Sequence, residues 1–309
     1  FMDWAHAPRL QQHIHDANRE ENEWAMKRVR AVMEEYDERL AFGEFSERQE
    51  MLGLYAGGLE RLHTGYTFHF LEDWSFEPPV FRAYYAELLA PLVDLFPCVT
   101  FSNHDIVRPV TRWGGGQGDD ALAKLALTIL VALKGTVLMY QGEELGLPEV
   151  DLDRQYIKDP VGDLYFPWVK GRDGCRTPMP WKAKSDGAGF TTGTPWLPIP
   201  DYHKVRAADV QAGDGNSVLA HAKKVVALRK AHPALKFGDI RFLDTEGKVL
   251  AFTREGDGER LLCVFNLGTE VVSYALPDGA GETVFELGEV KREGNSLSLA
   301  ARTGAILHA

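Results

Sequence analysis

The amino-acid sequence predicts an α/β region followed by a small antiparallel all-β domain, and three observations support this organisation. Helical and strand-like segments alternate in the first half of the chain at a spacing that suits parallel βα units. A long stretch rich in Pro, Gly, Trp and Asp follows at residues 147–205, and after residue 235 short β-type segments alternate with turn residues. Because four βα units are half of the eight in a closed (β/α)8 barrel, we predict strands 5–8 of such a TIM barrel in residues 1–234 and a β-sandwich in residues 235–309.

Local signals define the elements of the α/β region. Apolar residues fall on one helical face between Glu20 and Tyr36. Pro78-Pro79 suits the first turn of a helix, and the Asp119-Asp120 pair suits the positive end of another, which Gly135 stops. The predicted elements are, in chain order, a helix at 20–36, a strand at 40–42 that ends at Gly43-Glu44, a strand at 66–70, a helix from 78, a strand at 98–102, a helix at 119–134 and a continuously apolar strand at 136–140 that is covered on both faces.

The last third of the chain changes to a β pattern. A helix at Asn216–Lys230 ends near Pro233, and turn residues such as Glu255-Gly256-Asp257-Gly258 then separate short strands. The predicted strands are 240–243, 249–253, 261–266, 271–276, 283–287, 296–299 and 305–308.

Composition excludes several classes of partner. The 309 residues carry a net charge of −11, which disfavours binding to nucleic acid or to an anionic membrane surface. The apolar run Leu125–Leu133 is too short to span a bilayer. Cys98, Cys175 and Cys263 are widely spaced and odd in number, so we expect neither a disulfide framework nor a metal cluster, and a reducing, cytoplasmic location. The oligomeric state is not indicated by any pattern.

Two polar segments at strand ends predict a sugar site. Asn103-His104-Asp105 follows one predicted strand, before a polar Gly-rich loop at 113–116, and Glu44 follows another. In an α/β barrel the functional residues gather at the carboxyl ends of the strands. His104 and Asp105 could bind vicinal hydroxyls as donor and acceptor, although each residue alone is more often structural, and a lone Glu44 is usually a surface carboxylate.

Several motifs in a fixed order carry a family resemblance. The chain resembles the C-terminal half of the α-amylase superfamily (glycoside hydrolase family 13), most closely the bacterial α-glucosidase and oligo-1,6-glucosidase branch. The matching segments are Phe42-Gly43-Glu44, FSNHDIVR at 101–108, YQGEELG at 140–146, GRDGCRTPMPW at 171–181, GFTTGTPWLP at 189–198 and ALRKAHPAL at 227–235.

The resemblance implies roles for four residues. Glu44 would be the general acid/base, and Asp105 would bind sugar hydroxyls and stabilise the oxocarbenium-like transition state. His104 and Arg108 would bind substrate at the same sugar ring and at the non-reducing-end pocket. The resemblance also implies retention through a glucosyl intermediate on an aspartate of a Gly-Phe-Arg-x-Asp motif, which this sequence lacks.

The resulting expectation is an exo-acting glycoside hydrolase, an α-glucosidase that removes terminal glucose from short α-glucosides such as maltose and could transglucosylate. The chain is expected to be a fragment that is inactive alone, without a cofactor of its own, while a structural calcium is allowed for in the missing N-terminal half. Alternatives are a non-catalytic glycan-binding or accessory relative, and an endo-acting amylase, which the long loop disfavours because it should narrow the pocket.

For other polar and aromatic residues a structural role is the simpler interpretation. Glu143 and Glu144 are expected to support the pocket rim, and Arg172, Asp173 and Arg176 to form an ion network that folds the loop. The loop tryptophans Trp168, Trp181 and Trp196 could stack on sugar rings or form a small core for the loop. The histidines show no metal-ligand spacing, so no metal site is predicted.

Overall fold

The computed structural model describes residues 15, 18–46, 52–89, 95–114 and 118–309. Its helices are α1 Glu20–Met33, α2 Leu52–Tyr55, α3 His69–Glu72, α4 Pro78–Leu89, α5 Pro109–Gly114, α6 Asp120–Ala132, α7 Pro160–Tyr165, α8 Asp201–Lys204, α9 Ala208–Ala212, α10 Val218–Ala231 and α11 Pro233–Phe237. Its strands are β1 Phe42–Phe45, β2 Thr64–Thr67, β3 Cys98–Val99, β4 Thr136–Val137, β5 Asp239–Phe242, β6 Val249–Gly256, β7 Glu259–Asn266, β8 Val272–Ala275, β9 Thr283–Leu287, β10 Val290–Glu293, β11 Ser296–Leu299 and β12 Gly304–His308.

The first four strands form two parallel pairs. β1 pairs with β2, which sets Glu44 opposite Tyr66, and β3 pairs with β4. β2 lies against β3, and the Thr64 hydroxyl donates to the carbonyl of Phe96 at 2.8 Å. The carboxyl ends of both pairs share one edge, because Glu44 near the end of β1 contacts Asn103 beyond the end of β3. This is the edge at which α/β folds place ligands.

Helices α4 and α6 supply most of the core beside these strands. An aromatic cluster joins α4 to the strands, with Phe70 stacked on Tyr84 at 3.9 Å between ring centroids and edge-on to Phe101. Helix α6 is buried on nearly all sides, as its almost continuously apolar sequence requires. It begins where the Asp119 side chain accepts a hydrogen bond from the Leu122 amide at 2.9 Å.

The C-terminal region is built from two antiparallel sheets. Five strands lie in the order β5-β6-β7-β12-β9 and three in the order β10-β11-β8. Strand β6 is buried on both faces: Val249 and Ala251 pack toward the three-stranded sheet, whereas Leu250 and Phe252 pack toward the helices. The predicted domain boundary at 234/235 falls within α11, and a continuous core crosses it.

Several predicted strands differ from the observed ones. The prediction of a strand at Tyr66–Phe70 was wrong beyond Thr67, because the chain turns at Phe68 and α3 then places Phe70 and Leu71 in the core. β3 and β4 are shorter than predicted, and β4 is not covered on both faces, since Thr136 is exposed. Strand β10 was missed because its sequence, VKRE, has no apolar alternation.

Two further predictions need correction. The apolar face predicted for the first helix is largely exposed in the described structure, with Val29 and Val32 on the surface, and α1 buries Arg30 instead. Trp113 and Gly114 form the end of α5 rather than a loop, while Gly115 and Gly116 lie outside the described residues. Within the described ranges, no helix combines the length and apolarity needed to cross a membrane.

Candidate active site

Glu44 lies on β1 with its side chain exposed at the shared strand edge. Its position depends on glycines, because the ring of Phe45 folds back over the neighbouring backbone. A Cβ atom at Gly43 or Gly65 would come within 2.4 Å of that ring. The ring also stacks on Tyr55 at 5.0 Å between centroids. A side chain at either glycine would therefore displace Phe45 and the strand segment that carries Glu44.

Asn103 connects Glu44 to the loop after β3. Its side-chain amide nitrogen donates to Oε1 of Glu44 at 2.7 Å, and its amide oxygen accepts the Asp105 N–H at 2.9 Å. The amide is oriented by this pair of contacts, since a carboxylate can only accept and an N–H can only donate. The same nitrogen lies 3.5 Å from the hydroxyl of Tyr66, whose pKa is raised by burial and, to a lesser extent, by Glu44.

Asp105 is the meeting point of three basic side chains. Its Oδ1 accepts from Arg176 Nη2 at 2.7 Å and from Arg172 Nη1 at 3.1 Å, and it lies 3.4 Å from Nε2 of His104. Arg176 also donates to the backbone carbonyl of His104 at 2.6 Å. Two guanidinium groups on one oxygen fix the orientation of this side chain.

The arginines on Asp105 come from the long loop. Arg172 is itself held by a two-point contact with Asp159, at 2.8 Å from Nε and 3.2 Å from Nη2. This guanidinium lowers the pKa of Asp159 to about 2. Asp173 accepts the backbone N–H of Asp159 at 2.7 Å. The interpretation of Arg172, Asp173 and Arg176 as a loop-folding network was therefore incomplete, because the same network delivers two arginines to the site.

Arg108 does not have the position that the sequence predicts for a substrate contact. The side chain is 1% exposed, and its two terminal nitrogens donate to the carbonyls of Gln141 and Cys175, each at 2.8 Å. Its guanidinium lies over the ring of Tyr140. Through these two hydrogen bonds Arg108 joins the segment after β4 to the long loop. Its buried guanidinium does not face a ligand. Arg108 acts in this structure as a supporting residue.

One buried glutamate, Glu143, and one partly buried glutamate, Glu149, lie behind the site. Glu143 accepts a hydrogen bond from the Ser102 hydroxyl, and burial raises its pKa to about 8. Glu149 accepts the Arg108 N–H at 2.9 Å, and burial raises its pKa to about 7. Glu144 accepts the N–H of Gly142 at 2.7 Å. These contacts fit the supporting role that the sequence predicts for Glu143 and Glu144.

A metal ion fits poorly at this site. Glu44, His104 and Asp105 place one potential ligand atom each within 4.8 Å of one another. However, Asp105 Oδ1 is already bound by two guanidinium groups, and their positive charge opposes a cation at that position. The arrangement is suited instead to a neutral, hydroxyl-rich ligand that both donates to the carboxylates and accepts from the basic groups.

The loop tryptophans are surface residues. Trp168 is 83% exposed, and Trp181 and Trp196 are about half exposed. The small core of the loop is built from Val150, Leu152, Ile157 and Leu197 instead. Because these tryptophan rings lie on the surface, they do not form the core of the loop. They remain able to stack on sugar rings.

Residues missed by the sequence interpretation complete the site. Asn103 was noted only as part of a tripeptide, and Tyr66 only as a strand residue. Local spacing offers a signal for Asn103 alone, because an Asn that accepts the N–H two residues onward is a common turn. The contacts of Arg172 and Arg176 with Asp105 join positions about 70 residues apart, so no local pattern reveals them.

Comparison with known proteins identifies the family. The profile of the α-amylase catalytic domain matches residues 2–238, and that of the maltogenic amylase C-terminal domain matches residues 240–300. The chain belongs to the α-amylase family. Its two parts are thus the catalytic domain, a TIM barrel in this family, and a C-terminal antiparallel β domain.

Relatives of this α-amylase family member include named glucosidases. A "Probable alpha-glucosidase" of Rhizobium meliloti (strain 1021) is 44% identical over 271 residues, which are 86% of this chain and 49% of the relative. An "Oligo-1,6-glucosidase" of Parageobacillus thermoglucosidasius is 33% identical over 197 residues, which are 57% of this chain and 35% of the relative. The chain spans about half the length, or less, of the curated relatives it matches.

Solved structures of the family superimpose closely on this chain. The α-glucosyl transfer enzyme XgtA has a TM-score of 0.89 at 37% identity, over 97% of this chain and 56% of the enzyme. The trehalulose synthase MutB from Pseudomonas mesoacidophila MX-45 has a TM-score of 0.82 at 26% identity, over 93% of this chain and 58% of the synthase.

Proposed function

We propose that these residues are part of a retaining, exo-acting α-glucosidase in which Glu44 is the general acid/base and Asp105 stabilises the transition state. The observation that carries the proposal is the connected set Glu44–Asn103–Asp105 at the carboxyl edge of the parallel strands. A short α-glucoside such as maltose is the proposed substrate. The glucosidase and glucosyl-transfer names of the relatives support this choice.

The spacing of Glu44 and Asp105 argues against one alternative, in which these two carboxylates form an inverting pair. Oxygen atoms of Glu44 and Asp105 lie within 4.8 Å of each other. Inverting glycosidases need about 6.5 Å or more between their carboxyl groups, because a water molecule must fit between them. Glu44 and Asp105 are therefore unsuited to act as an inverting pair.

Asp105 is better suited to stabilising charge than to attacking the sugar. A carboxylate oxygen that accepts from two guanidinium groups is a weak nucleophile, since its electron density is already engaged. Its remaining oxygen can accept hydrogen bonds from the sugar hydroxyls, and such bonds strengthen as charge develops on the ring in the transition state. Glu44 is exposed and accepts one hydrogen bond from Asn103, so it can protonate the leaving oxygen and then activate water.

In this proposal the nucleophile lies outside the 309 residues, which contain no Gly-Phe-Arg-x-Asp motif. The four parallel strands would be strands 5–8 of the barrel, and residues 1–234 and 235–309 its second half and the β domain. The isolated chain would then not hydrolyse maltose. The intact mass of the whole gene product, together with maltose hydrolysis by the isolated 309 residues, tests this part, and turnover by those residues alone would overturn it.

The position of the long loop supports exo action. Arg172 and Arg176 reach Asp105 from this loop, so the loop borders the sugar site on one side. A loop at that position would limit the number of sugar units beyond the terminal one. Comparable rates on maltose and on soluble starch, per glycosidic bond, would contradict this part of the proposal.

Leaving-group dependence in the whole gene product tests the role of Glu44. Glu44→Gln removes the proton donor and keeps the shape of the side chain. We expect about a 100-fold or greater loss of kcat/KM on maltose and a much smaller loss on 4-nitrophenyl α-glucoside, whose leaving group needs little protonation. Equal losses on both substrates would exclude general acid catalysis by Glu44.

A further inference from the structure

Trp74 separates two cavities on the surface beside the candidate active site. It lies in the segment between α3 and α4 and is 64% exposed. One cavity, of about 500 Å³, is bordered by Trp74, Thr111 and Glu149, and the other, of about 490 Å³, by Trp74, Asp73 and Glu77. Both volumes lie within the usual range of small-molecule sites.

The segment that carries Trp74 is held firmly. The indole N–H of Trp113 donates to the carbonyl of Asp73 at 3.1 Å, and Phe76 stacks on the Trp113 ring at 4.6 Å between centroids. The Ser75 N–H donates to the Asp73 carboxylate at 2.7 Å. Among the described residues, none stacks on the Trp74 ring or hydrogen-bonds to it. Trp74 is thus a large apolar surface that a firmly held segment presents to solvent.

Polar groups border both cavities beside this ring. In the first cavity Glu149 is anchored by the N–H of Arg108, and the Thr111 hydroxyl accepts the Glu149 N–H at 2.9 Å. Lys170 forms an ion pair with Asp151 at the rim. Asp73, Glu77 and Arg302 border the second cavity, where Glu77 pairs with Lys248 and Arg302 pairs with Asp119.

The mixture of groups selects the class of ligand. The carboxylates of Asp73, Glu77 and Asp151 repel an anion, while Lys170 and Arg302 disfavour a cation. A purely apolar ligand would leave these polar groups without partners. A pyranose ring satisfies both requirements, since its C–H face can lie on the negative face of the indole and its hydroxyls can donate to carboxylates and accept from ammonium groups.

The position is separate from the candidate active site. Glu44, His104 and Asp105 do not border either cavity. The segment Gly171–Gly174 lies between the two places: Arg172 contacts Asp105, whereas Gly171 and Gly174 border the first cavity.

We infer that Trp74 is the centre of a second carbohydrate-binding site, which holds a short neutral oligosaccharide across its indole ring with one sugar unit on each side. The inference goes beyond the proposed function, because it concerns binding and requires no turnover.

Fluorine NMR of the protein labelled with 5-fluorotryptophan tests the site directly. The chain has 7 tryptophans, and the resonance that disappears in Trp74→Phe is that of Trp74. On titration with maltotriose we expect this resonance to shift and saturate, while that of Trp168, assigned through Trp168→Phe, stays in place. Lys170→Met changes only the exposed rim and should raise the Kd by roughly threefold.

Three outcomes would overturn the inference. The first is a Trp74 resonance that does not respond to maltotriose. The second is an equal shift of the Trp168 resonance, which indicates non-specific stacking. The third is a response of Trp74 to tetramethylammonium but not to maltotriose, which indicates a cation site. The titration reads Trp74 itself, so its result is independent of whether the protein hydrolyses glucosides.

Discussion

The side-chain amide of Asn103 donates a hydrogen bond to Oε1 of Glu44 at 2.7 Å, although the two residues are 59 positions apart in the chain. The other end of the same amide binds the backbone of Asp105. One buried side chain thus sets the relative positions of both carboxylates. The orientation of Glu44 toward a sugar therefore depends on a residue that need not touch the substrate.

Removal of this amide should lower activity without unfolding the protein. In Asn103→Ala, Glu44 loses its fixed orientation, and we expect kcat/KM on maltose to fall by roughly 10- to 100-fold, because small misplacements of a catalytic group are costly. Tyr66→Phe is the matched control, since it removes only the longer contact of 3.5 Å, and its effect should be several-fold smaller. Unchanged kcat/KM in Asn103→Ala would show that Glu44 is positioned by other contacts.

A buried arginine should be a main contributor to the stability of the junction between the helices and the β domain. Arg254 on β6 is fully buried and donates to the carbonyls of Ala132, the last residue of α6, and of Gly238, at 2.5 and 2.9 Å. These bonds satisfy a carbonyl at a helix end and place a positive charge near its negative pole. Arg254→Met leaves the carbonyls without partners, so the free energy of unfolding should fall by about 3 kcal/mol.

Urea unfolding of the 309-residue chain measures this effect. Arg260→Ala is the matched control, because this arginine lies on the adjacent strand with half of its side chain exposed, and a change within ~0.5 kcal/mol is expected. Similar midpoints for the two variants would contradict the role assigned to Arg254.

Glu143 should make the stability of the chain depend on pH. Burial raises its pKa to about 8 in the folded state, above the value of about 4.3 of a free glutamate. Between these values the folded state retains a proton that the unfolded state releases, so the free energy of unfolding falls as the pH rises from about 4.5 to about 8. Glu143→Gln keeps an acceptor for Ser102 but cannot ionise, and its stability should fall less over this window.

The comparison of urea midpoints at pH 5 and pH 8 isolates this group, since the other titrating residues, such as His203 and His221 with pKa values lowered to about 4 by burial, are common to both proteins. The stability of Glu143→Gln relative to the unsubstituted chain should rise by one to a few kcal/mol between these pH values, by order of magnitude. Glu286→Gln, at an exposed position, is the control. A parallel pH dependence for Glu143→Gln would show that Glu143 is ionised in the folded state.

The sequence predicts a helix or strand most accurately where one physical signal dominates. Helix α6 was predicted within two residues, because capping by Asp119 and a nearly continuous apolar sequence act together. The hairpin of β6 and β7 was predicted because an Asp-Gly pair favours the positive φ angles that such a turn requires. Asp257 and Gly258 adopt these angles in the structure. Prediction failed where tertiary packing decides, as at Phe70, which enters the aromatic core from a helix after a strand-like sequence.

The candidate site was predicted only in part, because sequence motifs identify its carboxylates but not the distant residues that contact them. The family motifs and the geometry of parallel strands brought Glu44 and Asp105 to one edge, and the structure places them within 4.8 Å. Arg172 and Arg176 are distant from Asp105 in sequence, and Asn103 is distant from Glu44, so the contacts that these three residues make were not predicted. At Arg108 the motif was recognised but the position of the side chain was not predicted. A motif identifies the residue, whereas the burial of its guanidinium under the loop depends on tertiary contacts.

The most direct test of the account is chemical rescue of Glu44→Ala by azide, measured on the whole gene product. Without a carboxylate at position 44, an intermediate formed from an activated glucoside should react with azide in place of activated water. Because two displacements occur, we predict that azide restores turnover and that proton NMR shows α-glucosyl azide, with the anomeric configuration of the substrate. Absence of rescue, or β-glucosyl azide as the product, would contradict the assignment of Glu44 as the acid/base of a retaining enzyme.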